Sequence, residues 1–336
     1  MVQHMSDTAS ILSSTPTLIQ SDDPRFVELH SVREPRRHDG FMRLQESEDA
    51  PSKRLRELMF GPTLRPWFTW ASAATMIIIM IFEYAKSLDL ARSMIQTAPF
   101  NPLIGPSSTV FIITGARYTP CMRSVPSCTN ITSCIEFCQN TNEGFRFFSA
   151  LFIHAGLIHI VLALVIHIWI GAGLERSLGV VRFAILYLVP GTFGFVLSAL
   201  VSPATAVSTG CTGALLGLAG FMLVDMAFHP DTVQKKRLAC VLLSIPVAFL
   251  FGIFPYIDNF CHLGGLVMGM IMGCALVPQR RTSSCIKWCI RVIAASIALA
   301  VFVSCLYVFY SVSDPTTMCP NCKYFSCVPY SNWCEQ

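Results

Sequence analysis

Apolar stretches long enough to cross a lipid bilayer constrain this chain more than any other feature of its sequence. A membrane-spanning helix needs about 20 predominantly apolar residues. The 336-residue chain is 53% hydrophobic and only 13% charged, with a mean hydropathy of +0.55, and a soluble domain needs more charge to cover its surface. The sequence therefore predicts an all-α polytopic membrane protein with seven transmembrane helices, near 66–84, 147–171, 181–201, 210–229, 238–255, 260–278 and 288–311.

The distribution of basic residues predicts how these spans are oriented. A cluster of Lys and Arg lies just before the first span, and further basic residues lie in the loops after the second, fourth and sixth spans. The connections 202–209 and 256–259 contain no Lys or Arg. Because cytoplasmic loops are enriched in these residues, the N-terminus is predicted to be cytoplasmic. The basic residues flank apolar runs, so the predicted partner is the lipid bilayer and not a nucleic acid.

Two groups of four cysteines lie on the predicted lumenal side. One group is in the first long loop, where Asn130 also begins a glycosylation sequon, and the other is in the C-terminal tail. Even numbers of cysteines in an oxidising compartment predict disulfides, and a sequon is glycosylated only from the lumen. The location is therefore predicted to be a membrane of the secretory pathway, in the endoplasmic reticulum, the Golgi or the plasma membrane. A zinc site in the tail is the alternative, and it would require the opposite, reducing side.

The same features divide the chain into four parts. Residues 1–64 are polar and of mixed charge, which predicts a disordered cytoplasmic tail. Residues 65–278 are predicted to form a six-helix membrane core that includes a lumenal loop at 86–146. Residues 279–311 would form the seventh transmembrane helix with its flank, and residues 312–336 a cysteine-rich lumenal tail.

Two of the spans are predicted to touch, and to bring a hydroxyl next to an imidazole. Thr212 and His262 each lie about three residues inside the lumenal end of a span, at matching depth. Each span carries one stripe of small residues at helical spacing, which lets membrane helices approach closely: Gly210, Gly213, Gly217 and Gly220 in one span, and Gly265, Gly269 and Gly273 beside His262 in the other.

A hydroxyl next to a histidine is the minimum for nucleophilic acyl transfer, since the imidazole takes the hydroxyl proton and later passes it to the leaving amine. A histidine inside a membrane span is by default a functional candidate. Asp258 lies four residues before His262 and is predicted to cap the helix N-terminus and not to complete a triad. Cys211 is one helical step from Thr212 and is predicted to point away from His262.

Several stretches together resemble one family. They are 101–107 (NPLIGPS), 115–117 (GAR), 120–123 (PCMR), 152–159 (FIHAGLIH), the Glu175-Arg176 turn, and the cysteine-rich tail with CKYFSC and NWC. Combined with the Gly-x-Thr-Gly segment at 210–213 and with His262, these motifs resemble the rhomboid family of intramembrane serine proteases. The closest branch is the eukaryotic secretory-pathway type, which has six core spans and one more at the C-terminal end.

The resemblance implies roles for individual residues. Thr212 occupies the position of the nucleophilic serine, and His262 that of the general base. His159 matches the second-span histidine that helps to hold the oxyanion. Two positions depart from the family pattern: Ala163 replaces an oxyanion-binding asparagine, and Leu216 replaces an aromatic residue that packs on the base.

These departures favour a protease whose activity is weak or lost. The β-methyl group of Thr212 restricts χ1 and is expected to hinder the rotamer that faces His262. A missing oxyanion donor costs about 10²–10³ in rate in other hydrolases. The favoured hypothesis is a pseudoprotease that binds membrane helices during trafficking or degradation, and the alternative is an active endopeptidase. The resemblance implies single-pass transmembrane proteins as substrates or clients and no cofactor. A transporter is a more distant alternative.

Overall fold

Long helices account for most of the chain between Trp67 and Ser311. The computed structural model describes residues 61–62, 65–126, 135–138, 140, 142–277, 283–313, 319 and 321–326. Of the predicted N-terminal tail at 1–64, residues 1–60, 63 and 64 lie outside the described residues. The sequon at Asn130 and Cys128, Cys134, Cys327 and Cys334 also lie outside them. The helices in chain order are α1 Trp67–Ala91, α2 Ser108–Thr114, α3 Thr119–Met122, α4 Arg146–Ser149, α5 Leu157–Ile166, α6 Ala172–Leu178, α7 Val180–Val201, α8 Thr212–Phe228, α9 Lys235–Phe251, α10 Asn259–Leu276, α11 Ser284–Ser311 and α12 Lys323–Ser326.

The prediction of an all-α polytopic membrane protein is confirmed. Five helices of the described residues are long and apolar enough to span a bilayer: α1, the continuous segment Leu157–Leu178, α7, α10 and α11. A π-helical turn at His167–Gly171 joins α5 to α6 within that segment. The apolar helix α8 and the helix α9 have 17 residues each and lie between these spans in sequence. A total of seven spans stays a prediction.

The second span begins about ten residues later than the predicted 147–171. Residues 146–149 form the separate helix α4, and the long helix starts only at Leu157. The interruption is caused by the first loop, because the carbonyl groups of Leu103 and Ile104 accept hydrogen bonds from the N–H groups that open α5. Gly156 has φ +156° there, and a Cβ atom on it would lie 2.2 Å from the Leu103 carbonyl oxygen. Apolar sequence alone does not reveal this turn.

The helices α8 and α10 form the centre of the bundle, and α7 packs against both. Their contact is backbone to backbone, as the glycine stripes predicted. A Cβ atom on Gly265 would lie 2.0 Å from the carbonyl oxygen of Gly213, and one on Gly194 of α7 would lie 2.5 Å from the carbonyl oxygen of Cys261. Helices that meet this closely fix the relative positions of the side chains at their ends.

The segment between α1 and α5 folds as a packed body, and its residues Leu103 and Phe111 share an apolar cluster with Tyr256 from the connection between α9 and α10. Arg146 is buried inside it, paired with Glu143 and donating to the backbone carbonyl groups of Ile112 and Ala116, at 2.7 and 2.9 Å. A buried charge requires such partners. This body covers the end of the bundle where α8 and α10 begin.

Disulfides join Cys121 to Cys138 in this loop and Cys319 to Cys322 in the tail. The prediction of disulfides in both segments is confirmed for these four residues. The five cysteines predicted to stay reduced are free thiols, namely Cys240, Cys274, Cys285, Cys289 and Cys305. Cys211 and Cys261 are free thiols as well.

Candidate active site

Thr212 is the first residue of α8, and backbone hydrogen bonds hold the loop before it from two directions. The N–H group of Thr209 donates to the Tyr256 carbonyl at 2.9 Å, and that of Gly210 donates to the Ala150 carbonyl at 3.0 Å. Gly210 has φ +110°, a left-handed conformation that favours glycine. The N–H group of Thr212 lies in the first helical turn, where the helix itself provides no acceptor.

The hydroxyl of Thr212 contacts the imidazole of His262. The distance between Thr212 Oγ1 and His262 Nε2 is 2.7 Å. The hindrance expected from the β-methyl group is therefore absent: the restricted χ1 still lets the hydroxyl face the base. Within the described residues no carboxylate bonds to Nδ1 of His262, so the two side chains form a dyad. With its hydrogen on Nδ1, His262 accepts the Thr212 proton at Nε2.

His159, on α5, lies directly against the loop that precedes Thr212. Its Nδ1 accepts the N–H of Ala155 at 3.3 Å, which leaves the ring hydrogen on Nε2. This Nε2 is buried and has no hydrogen-bond partner among the described residues. A Cβ atom on Gly210 would lie 2.8 Å from it. The arrangement leaves a buried, unpaired N–H donor beside Gly210, which precedes Thr212 by two residues, and such a donor can bind an anion.

The two departures from the family pattern have different structural outcomes. Ala163 is buried one helical turn after His159 and offers no side-chain donor. Leu216 is also buried, but an aromatic ring still packs on the base from another helix: Phe249, near the end of α9, lies edge-on to His262 with ring centroids 6.0 Å apart. Sequence analysis did not find Phe249, because α9 carries no pattern that marks this contact.

Asp258 caps α10 and does not contact the imidazole of His262. Its Oδ1 accepts the Phe260 N–H at 2.8 Å, as predicted. Burial disfavours its charge, but Arg117 and the neighbouring hydroxyls outweigh this effect and lower the pKa of Asp258 below its usual value of 3.8. Its Oδ2 accepts hydrogen bonds from four side chains, those of Arg117, Ser198, Ser202 and Ser208.

The C-terminal tail reaches the same helix end. Ser326 Oγ accepts the N–H of Asn259 at 3.1 Å and donates to Asp258 Oδ1 at 3.0 Å. The ring of Phe325 lies 5.8 Å from that of Phe249, which in turn packs on His262. The tail therefore supports the first turn of α10, on which His262 lies. No local sequence pattern predicted this contact, since it joins segments 67 residues apart.

Cys211 is not an alternative partner for the base. It is fully buried and lies beside Tyr187 of α7, while Thr212 contacts His262. Within the described residues no cluster of three or more His, Cys, Asp or Glu side chains could hold a metal ion. The chemistry available at this site is that of a hydroxyl, a buried base and a free imidazole N–H.

A helical membrane bundle that holds a partly buried hydroxyl against a buried imidazole defines the class of this protein, and comparison with known proteins assigns the family. The Rhomboid domain model matches residues 141–279. RHOMBOID-like protein 6, mitochondrial, of Arabidopsis thaliana is 30% identical over 266 residues, which cover 73% of this chain and 80% of that protein. The chain belongs to the rhomboid family.

Relatives of two kinds are found. Rhomboid-type serine protease 2 of Emericella nidulans is 28% identical over 361 residues, covering 80% of this chain and 71% of that protein. Inactive rhomboid protein 1 of Danio rerio is 27% identical over 204 residues, covering 58% of this chain and only 23% of that longer protein. The family thus includes proteins named as proteases and proteins named as inactive.

Proposed function

We propose that this chain is a slow intramembrane endopeptidase that uses Thr212 as nucleophile and His262 as general base. The observation that supports this proposal is the 2.7 Å distance between Thr212 Oγ1 and His262 Nε2, which lies within the range for proton transfer from a nucleophile to its base. By extension from the family, the substrates are single-pass transmembrane proteins.

In the proposed reaction, Thr212 Oγ1 attacks the scissile carbonyl carbon while its proton passes to His262 Nε2. The tetrahedral oxyanion accepts hydrogen bonds from the Thr212 N–H and from Nε2–H of His159. His262 then donates the proton to the leaving amine as the C–N bond breaks, which leaves an ester on Thr212. Water, deprotonated by His262, attacks this ester and releases the acid with the hydroxyl restored.

The proposed enzyme is slow because one donor is missing. Ala163 cannot hydrogen-bond to the oxyanion, and loss of one such donor costs about 10²–10³ in rate. The base and the nucleophile keep their contact, and Phe249 provides the aromatic packing that Leu216 cannot. The site therefore has the residues for each proton transfer but a weaker electrostatic stabilisation of the transition state.

The second candidate function is that of a pseudoprotease which binds membrane helices in trafficking or degradation. Ala163 favours it, because a site under selection for rapid proteolysis would retain the donor. The relative named inactive rhomboid protein 1 supports this candidate, because its name describes a member of the family without activity. The same helix-lined site would then bind a transmembrane client without cleaving it.

A cleavage assay separates the two candidates. Full-length protein is reconstituted in proteoliposomes with a single-pass membrane substrate in excess of enzyme sites, and product is followed over hours. A slow enzyme gives cleavage in the wild type that His262→Ala and Thr212→Ala both abolish. If the wild type is indistinguishable from folded His262→Ala, the pseudoprotease function is supported instead.

We also propose that the protein resides in a secretory-pathway membrane with a cytoplasmic N-terminus. The basic flanks of the spans support this orientation, and the disulfides of the first loop and the tail are consistent with an oxidising lumen. Protease protection in sealed microsomes tests it. Digestion from outside should remove an N-terminal tag and leave the tail intact, and the reverse pattern would contradict the orientation.

A further inference from the structure

A cavity of about 620 Å³ opens on the side of the bundle between the α5–α6 segment, α8 and α9. Trp169 and Gly173 lie on one side of it, Met222 on its floor and Val241 on the other side. Nothing lies within 4 Å of where a Cβ atom on Gly173 would be. The α5–α6 segment and α9 are thus separated by a slot deep enough to hold part of another molecule.

Away from the end that Gln234, Lys236 and Arg237 line, the walls of this slot are effectively apolar. Ser177 and Ser244 line it, but the hydroxyl of each donates to a carbonyl of its own helix, at 2.8 Å to Leu174 and at 2.8 Å to Val241. The single donor of each hydroxyl is therefore already used. The slot accepts a hydrocarbon chain without leaving polar groups unsatisfied.

One end of the slot is positively charged. Lys236 and Arg237, in the first turn of α9, line it and are exposed. Arg237 lies 3.9 Å from Asp225, so part of its charge is balanced. Lys236 has no ion pair with any residue that the structure describes. Phe249 lies 13 residues after Lys236 in α9, about 20 Å away at 1.5 Å per residue, so this basic end is remote from the dyad.

We propose that the slot is a binding site for an anionic glycerophospholipid. One acyl chain would lie between α9 and the α5–α6 segment, and the phosphate and the charged headgroup would contact Lys236 and Arg237. Charge complementarity selects the lipid class, because each basic side chain near the surface contributes to the attraction of anionic headgroups. The site does not depend on proteolysis.

The slot is too small to enclose a transmembrane helix. A helix about 10 Å across occupies roughly 420 Å³ in each 5.4 Å turn, so the slot would hold fewer than two turns. It lies instead within the range of about 300–1,000 Å³ that is typical of small-ligand pockets. A lipid chain fills such a slot, whereas a helix could only rest on its rim.

Native mass spectrometry of the full-length protein tests this proposal. The protein is extracted from vesicles of equal parts phosphatidylcholine and phosphatidylserine, and retained lipid is counted. We expect bound phosphatidylserine in preference to phosphatidylcholine. Joint replacement Lys236→Gln and Arg237→Gln should lower its retention about tenfold. Lys235→Gln removes a charge of the same helix turn that does not line the slot, and should have a much smaller effect.

A second pair of variants tests the slot itself. Gly173→Phe should fill the open space and displace the lipid, while Gly173→Ala should leave retention unchanged. Equal retention of the two lipids, or phosphatidylserine retention that survives both Gly173→Phe and the double charge replacement, would overturn the proposal. Retention of a polypeptide or of a second copy in the slot would do so as well.

Discussion

Gly269 of α10 lies so close to Gly217 of α8 that a Cβ atom on Gly269 would be only 2.1 Å from the Gly217 carbonyl oxygen. The next glycine pair towards the dyad has the same relationship, with 2.0 Å between a Cβ atom on Gly265 and the Gly213 carbonyl oxygen. The two helices therefore pack through their backbones. This contact determines the distance between their first turns, where Thr212 and His262 lie.

The first prediction concerns this packing. Gly269→Ala should destabilise the protein by about 1–3 kcal/mol, because the methyl group forces a backbone apart. Gly173→Ala is the matched control, because a methyl group at this helical position would enter open space. This variant should be as stable as the wild type, or more stable by up to about 1 kcal/mol, since alanine has the higher helix propensity. Thermal unfolding in detergent compares them. Equal melting temperatures for the two variants would contradict the backbone contact.

The second prediction concerns the missing oxyanion donor. Ala163→Asn should raise the cleavage rate by up to about 10²–10³, provided the variant folds. Thr212→Ser should raise it less, because the threonine hydroxyl already contacts His262. Both act on one transition state, so their combined effect need not be additive. Cleavage kinetics in proteoliposomes provide the measurement. A folded double variant that stays at the rate of His262→Ala would argue against catalysis by this dyad.

The third prediction concerns the tail. Ser326→Ala removes a hydroxyl that accepts the Asn259 N–H, and loss of such a cap costs about 0.5–2 kcal/mol. Hydrogen exchange should therefore become faster in the first turn of α10, and the cleavage rate should fall because His262 is held less firmly. Ser311→Ala, at an exposed helix end, is the control. Unchanged exchange at residues 259–262 in Ser326→Ala would show that the tail does not support this turn.

The fourth prediction concerns acid sensitivity. The folded protein lowers the pKa of Asp258 below 3.8. The stability that this carboxylate contributes is therefore complete above its pKa in the unfolded chain, and it is lost as the pH falls through its pKa in the folded protein. Asp258→Asn should be less stable than the wild type by about 3–5 kcal/mol at pH 7, because Arg117 is left buried and unpaired. Melting temperatures should converge below about pH 4. A difference that stays constant across this range would count against the buried ion pair.

The fifth prediction concerns the cysteines. Alkylation without reduction should modify the exposed thiols Cys240, Cys285 and Cys289, but not Cys319 or Cys322. Peptide mass spectrometry reads out both groups, and alkylation after reduction is the control for access. Modification of Cys319 and Cys322 before reduction would favour the alternative of a zinc-binding tail.

The facing stripes of α8 and α10 could be predicted from the sequence because they follow from the period of the α-helix. Glycines at spacings of three and four place Thr212 and His262 on facing stripes, and the structure brings these two side chains together. The cap at Asp258 was also predictable, because it depends only on the residue type that directly precedes the helix. The break before Leu157 was not, since it depends on hydrogen bonds from a loop about 50 residues earlier.

The support of the base was also beyond sequence reasoning. Phe249 reaches His262 from a helix whose only buried residue among those described is Val241, so no apolar stripe marks it. The tail contact through Ser326 depends on where the polar end of the chain docks. Such long-range contacts have no local period and follow only from the assembled bundle.

The close approach of His159 to Gly210 has an evolutionary consequence. A Cβ atom on Gly210 would lie 2.4 Å from Cε1 of that imidazole, so the ring occupies the space that any other side chain would need. A lineage that replaces Gly210 must first lose or displace His159, and with it the unpaired N–H beside this loop. Gly210, 51 residues from His159 in the sequence, can therefore diverge only after His159 or together with it, so a larger residue at position 210 marks a chain that has lost this imidazole.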